Sequence, residues 1–205
     1  MTLILLLITV ALSIGAFQNR QVLDRLIFNP YKVHQSGEWY RFISSGFIHA
    51  DWLHLLVNMF VLYSFGPVVE EYYDMVFGDR SMPYFLILYI GGMVFSILPT
   101  YKKRLDQPLY NALGASGAVS SVVFAFILFK PLHELCLYGL LCLPGILFGA
   151  GYLFYSYRMD KRGKDNVNHD AHLWGAVYGF LFTLILKPSL FGVFISQLFH
   201  FRDSF

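Results

Sequence analysis

LGASGAVSSVVFAFILF, residues Leu113–Phe129, is the stretch on which the fold turns. It carries no charge and is close to the length a helix needs to cross a hydrocarbon core, about 17–25 residues. Backbone groups in lipid must be satisfied within the segment, so the run is predicted as a helix. Its head is the exception to its apolarity: Ser116 sits between Gly114-Ala115 and Gly117. Polar groups at membrane depth are costly and mark function by default.

Five further apolar segments flank this one, over residues 2–17, 53–72, 83–100, 135–157 and 171–186. The 205 residues are 57% hydrophobic and 14% charged, where a soluble domain carries about 25% charge. Mean hydropathy is +0.55. The 21 Phe and 14 Tyr fit aromatic belts at two membrane interfaces. An all-α membrane protein follows: a single domain over 1–205, a compact bundle of six transmembrane helices. The first segment lacks the basic start and cleavage site of a secretory signal, and is read as a retained span. Residues 18–51 form a long first loop with two apolar stripes, Val22, Leu23, Leu26 and Ile27, then Trp39, Phe42, Ile43 and Phe47. Both predict short helices lying in the interface. The tail 187–205 reads as a further interfacial helix. A net charge of +2 gives no nucleic-acid footprint. Cys136 and Cys142 are too few and too close for a disulfide framework, and read as free thiols.

Even-numbered spans of such a chain run in one direction, so their starts share one side and depth. Those starts carry His54 and Asn58, Ser116, and His172. A hydroxyl, an imidazole and further hydrogen-bond donors are the groups acyl transfer needs: nucleophile, base and oxyanion stabilisers. Taken alone, Ser116 and Ser120 fit the small-x-x-x-small packing common in membranes. His172 alone fits a hydrogen-bonded core histidine, and His54 with Asn58 an interhelical polar clamp. Together they are hard to explain as packing. In Ala171-His172-Leu-Trp-Gly175-Ala-Val-Tyr-Gly179, residues 172, 175 and 179 share a helix face. Gly175 and Gly179 permit close approach to a neighbour, which would bring His172 to Ser116 if that neighbour is the fourth span. His54 and Asn58, at i and i+4, also share a face, and both can donate to a developing oxyanion.

His49 is expected to hydrogen-bond the loop or support the site. His169 with His172, His49 or His54 offers a metal grouping, but no H-E-x-x-H motif occurs and the spans hold only Glu70 and Glu71, at the far end of the second. No metal or other cofactor is expected. Asp170 lies two residues from His172 and faces elsewhere, which favours a two-residue dyad over a triad.

These residues resemble the rhomboid family of intramembrane serine proteases over nearly the whole chain. Its H-x-x-x-N appears as His54–Asn58, its G-x-S-G as Gly114–Gly117, and its A-H-x-x-G-x-x-x-G as Ala171–Gly179. The first-loop signature appears as Trp39-Tyr40-Arg41, and G-x-x-x-E as Gly66–Glu70. The resemblance implies a dyad of Ser116 as nucleophile and His172 as base, with an oxyanion hole of His54, Asn58 and the Ser116 backbone N–H. It implies structural support from Gly114, Gly117, Gly175, Gly179, Trp39, Arg41 and Glu70. Substrates would be single-span membrane proteins in the lipid bilayer, with the fifth span as a lateral gate and Arg158–Asp170 as a cap. The implied setting is a bacterial inner membrane, with the cavity opening to the non-cytoplasmic side. A catalytically silent relative that binds membrane clients is the alternative; a channel or transporter would leave the Ser116–His172 pairing without a reason.

Two features depart from the family pattern. Many relatives place an aromatic four residues after the nucleophile, packed on the imidazole; this chain has Ser120, so an aromatic from a neighbouring turn is expected to orient His172. The basic residues also fall unevenly. Arg20, Arg25, Lys32, Arg41, Lys102, Lys103, Arg104, Arg158, Lys161, Arg162 and Lys164 lie on the implied outer side, against Arg80, Lys130, Lys187 and Arg202 on the inner. That is the reverse of the positive-inside expectation.

Overall fold

The computed structural model describes residues 1–137, 141–162 and 168–199. Helix α7 (Ser116–Phe129) is its centre, with every residue from Gly117 to Phe129 buried. A helix apolar all round can be satisfied only by neighbours on all sides. It packs most extensively on α9 (His169–Leu186), then on α6 (Ser81–Lys103) and α5 (Trp52–Phe77). Helix α1 (Thr2–Gln18) leans on α5, and α8 (Gly145–Arg162) lies mainly against α9.

The apolarity of α1 faces outward. Thr2, Leu5, Thr9, Ser13 and Ala16 are buried, while Leu3, Ile4, Leu7 and Ile8 are exposed. Small and weakly polar residues packed inward with large apolar ones outward is the arrangement that lipid, not water, favours. By length and apolarity, the continuous run Trp52–Lys103, made of α5 and α6, can cross a membrane. Helices α9 and α10 (Leu190–Phe199), bent by 114°, meet that test only jointly, and α1 and α7 are apolar but shorter. The helical bundle is observed.

The first loop has its own structure: α2 (Arg20–Leu26), α3 (Pro30–Ser36) and α4 (Arg41–Ser44), followed by a 3₁₀ turn over Ser45–Phe47. Both expected stripes are helical in part, and α3 is added between them. Its start follows from capping: the Asn29 side chain accepts from Lys32 N–H at 2.8 Å, with Pro30 in the first turn.

Three expectations need correction. The fourth helix begins at Ser116 and not at residue 113, because Gly114 has φ +119°, outside the helical region. The segment expected as helix from 135 starts instead with an antiparallel hairpin of β1 (Glu134–Leu137) and β2 (Leu141–Pro144). A short apolar run reads alike for strand and buried helix, and Pro144 lacks the N–H a continuous helix would need. The same hairpin overturns the free thiols: its register sets Cys136 opposite Cys142, Cα atoms 3.9 Å apart, and the two are disulfide-bonded. Proximity in sequence argued against a framework, but strand pairing makes those positions direct neighbours. Of the expected cap, residues 163–167 lie outside the described residues, as do 200–205 of the tail.

Candidate active site

The first loop is the template for the loop that presents Ser116. Arg41 is 3% exposed. Its Nη1 donates to the carbonyls of Asp24 (2.9 Å) and Ile27 (2.6 Å), and its Nε to Glu38 (2.5 Å). The hydrogen bond from Arg41 holds the Glu38 carboxyl below the usual range, against the opposing effect of burial. The loop so fixed grips the other: Phe28 and Ala112 exchange backbone hydrogen bonds of 3.0 Å in both directions. Asn29 Nδ2 donates to Pro108 O and Tyr110 O. Gly114 N–H donates to Ser45 O at 2.9 Å. Trp39, exposed, stacks on Phe42, centroids 5.9 Å apart, which also packs on Tyr101 of α6.

His49 completes the presentation. Its Nε2 accepts from the N–H of Ala115, next to Ser116, at 3.3 Å, and its Nδ1 meets Ser13 Oγ of α1 at 3.0 Å. Ser13 Oγ also donates to Phe47 O, so it accepts from Nδ1–H. The tautomer is thereby assigned, and only the neutral ring satisfies both contacts. Burial, aided by nearby His54 and opposed by Asp51, pushes the His49 imidazole down to about 3.

Asp51 caps α5 by accepting from His54 N–H at 2.8 Å, setting His54 in the first turn. The His54 ring meets Gly114 directly: a Cβ there would lie 2.6 Å from His54 Cε1. Gly114 therefore has two reasons to be glycine, its positive φ and this contact. Asn58 is buried one turn on, and one of its amide hydrogens goes to His54 O at 2.9 Å. The amide keeps a second hydrogen to donate.

Gly175 and Gly179 form the contact of α9 with α7. A Cβ on Gly175 would overlap Gly117 O, and one on Gly179 the backbone of Ser121. Gly117 also meets Ser96 of α6. These contacts set the start of α9 beside the start of α7. Ser116, His172, His54 and Asn58 line a single cavity of about 1280 Å³, shared with Gly114 and Gly117. Glu70 is remote from it: its carboxylate accepts from the Met1 ammonium at 2.8 Å and the Thr2 N–H, binding α1 to α5.

Sequence reasoning missed how the end of α6 holds the start of α9. Asn168 caps α9 by accepting from Ala171 N–H at 3.1 Å, and its amide bonds Thr100 Oγ1. Lys103 Nζ lies 2.5 Å from Asp170 and 3.4 Å from Asp160. Asp170 is thus engaged with α6. His169 is buried with its ring edge-on to that of His172. The ring that lies parallel to the His172 imidazole belongs to Tyr152 of α8, not to a neighbouring turn: centroids are 6.0 Å apart and planes 17°. Only the serine at 120, leaving room for a ring from elsewhere, hinted at it.

The chain is similar to known proteins over most of its length. A rhomboid domain model matches residues 36–189. Rhomboid-like protein 11, chloroplastic, of Arabidopsis thaliana is 29% identical over 176 residues, 80% of this chain and 58% of that protein. The putative rhomboid protease YdcA of Bacillus subtilis is 30% identical over 155 residues, 73% of this chain and 68% of that one. Presenilin-associated rhomboid-like protein A, mitochondrial, of Danio rerio is 32% identical over 143 residues, 67% and 35% respectively. The chain thus spans between about a third and two thirds of the length of these relatives. Since the matched region encloses Ser116, His172, His54 and Asn58 together with the loops and helices that carry them, the chain belongs to the rhomboid family.

Proposed function

We propose that the protein is an intramembrane serine endopeptidase. In this reading α1, α5, α6, α7, α8 and α9 are six spans, and the cavity lets water reach a peptide bond at a helix end. Ser116 Oγ attacks the scissile carbonyl while His172 takes its proton. The oxyanion is held by His54, Asn58 and the Ser116 N–H at the start of α7, where free backbone donors are available. Collapse breaks the C–N bond, and His172 returns the proton to the leaving amine. Water, deprotonated by His172, then attacks the acyl-enzyme and releases Ser116. The substrates are single-span membrane proteins whose helix unwinds near the cavity.

The observation that carries this reading is that residues from the starts of three helices, far apart in sequence, line one cavity. Membership of the rhomboid family supports it. Ser116→Ala and His172→Ala are each expected to abolish cleavage of a transmembrane reporter in detergent, and Ser116→Ala to abolish labelling by a fluorophosphonate. Undiminished cleavage in either variant removes the mechanism. A wild type that takes no label and cuts no reporter, yet retains membrane clients, would make the protein a silent binder.

A further inference from the structure

Ser120 and Tyr152 come from different helices and meet at their hydroxyls, Ser120 Oγ to Tyr152 OH at 2.8 Å. Ser120 lies one turn after Ser116 on α7 and is buried. Tyr152 projects from α8 into the cavity wall between α7 and α9. Its ring is stacked on the His172 imidazole, and the Phe124 ring lies 6.0 Å from it on the α7 side. Stacking fixes a ring plane within the geometry aromatic pairs prefer. A single ring between two others cannot tilt without losing one contact, and the Ser120 hydrogen bond stops it from sliding along its own axis.

We propose that Tyr152 is the positioning residue of the base: its ring fixes the plane of the His172 imidazole, and Ser120 fixes the ring. The inference rests on the dyad proposed above. It deepens that reading by assigning the orienting group to α8, a helix that carries neither the nucleophile nor the oxyanion donors. Helix α8 packs on α9 far more than on α7. Close approach to α7 comes where Gly149 lies against Ile127 and Phe124, one turn before Tyr152. The aligned base therefore depends on α8 being seated on α7, and any shift of α8 away from it withdraws the ring.

The test compares Tyr152→Phe, Tyr152→Leu, Ser120→Ala and the double variant Tyr152→Phe/Ser120→Ala in detergent. Readouts are kcat and KM for a transmembrane reporter, the rate of fluorophosphonate labelling, and thermal unfolding. Removing the ring misaligns the base, so Tyr152→Leu is expected to lose about tenfold to a hundredfold in kcat and in labelling rate, with KM within twofold. Tyr152→Phe keeps the ring and loses one hydrogen bond, about two- to tenfold. Ser120→Ala is expected to match it, and the double variant to fall no further, since both remove the same bond. A Tyr152→Leu protein that labels at the wild-type rate overturns the proposal, as does a Ser120→Ala effect that multiplies with that of Tyr152→Phe. If Tyr152→Leu fails to fold, the Ser120 and Phe variants still decide, because both leave the α8 ring in place. A wild type that takes no label at all defeats the dyad instead, and so is distinguishable.

Discussion

His49 sits between two backbone segments that must keep register for Ser116 to be presented. It accepts from Ala115 N–H and donates to Ser13, and a second ring proton would set two donors face to face. Its proton affinity follows: held down to about 3 when folded, near 6.5 when unfolded. Between those values the unfolded chain binds a proton that the native chain does not, so stability rises with pH across that window. The contribution is complete above about pH 6.5 and is lost on acidification, by at most about 1.4 kcal/mol per pH unit. Thermal unfolding of the wild type in detergent is expected to fall more steeply between pH 6.5 and 4.5 than that of His49→Gln, which keeps an acceptor for Ala115 but cannot titrate. Parallel profiles would show that His49 is not the group responsible. That His49 supports the site was legible from its place just ahead of the second apolar segment. Its partner on α1 was not, because 36 residues separate Ser13 from His49 and only folding sets α1 beside the loop.

Helix pairs, one scale up, are set by what is missing from their contact faces. Gly175 touches backbone at Gly117, and backbone enclosed on all sides has nowhere to yield. Gly175→Ala is expected to cost about 1–3 kcal/mol by overpacking and to slow fluorophosphonate labelling by parting α9 from α7. Gly192→Ala is the matched control: no atom lies within 4 Å of its Cβ position, and alanine is the better helix former. Thermal unfolding and labelling of the two variants check this; equal effects would remove the close-contact argument. The spacing of 172, 175 and 179 revealed this face before any coordinates. The β1–β2 hairpin was illegible for the opposite reason: its residues are apolar without a helical face, so pattern alone could not separate strand from helix there.

At the scale of the molecule, the starts of α5, α7 and α9 share one side, and the β1–β2 hairpin lies at the other end of α7. Most of the basic residues among those described fall on the cavity side. The paired Cys136–Cys142 lies at the end away from the cavity. The excess of basic residues alone would predict a cavity that opens to the cytoplasmic side, the reverse of the orientation the family resemblance implies. After reduction, the two hairpin thiols are expected to react with a membrane-impermeant maleimide added to intact cells. Labelling only after permeabilisation would restore the orientation implied by the resemblance.

Apolar runs, their lengths and the polar residues at their starts depend on composition and local period alone. They sufficed for a helical bundle, for the family and for the candidate residues Ser116, His172, His54 and Asn58. What required the tertiary structure is every relation between segments distant along the chain. Gly114 is pinned by Ser45, the start of α9 is held by Lys103 and Thr100, and His172 is faced by a ring from α8. Such contacts carry no periodic signature, because each joins two side chains or loops whose separation in sequence says nothing of their separation in space.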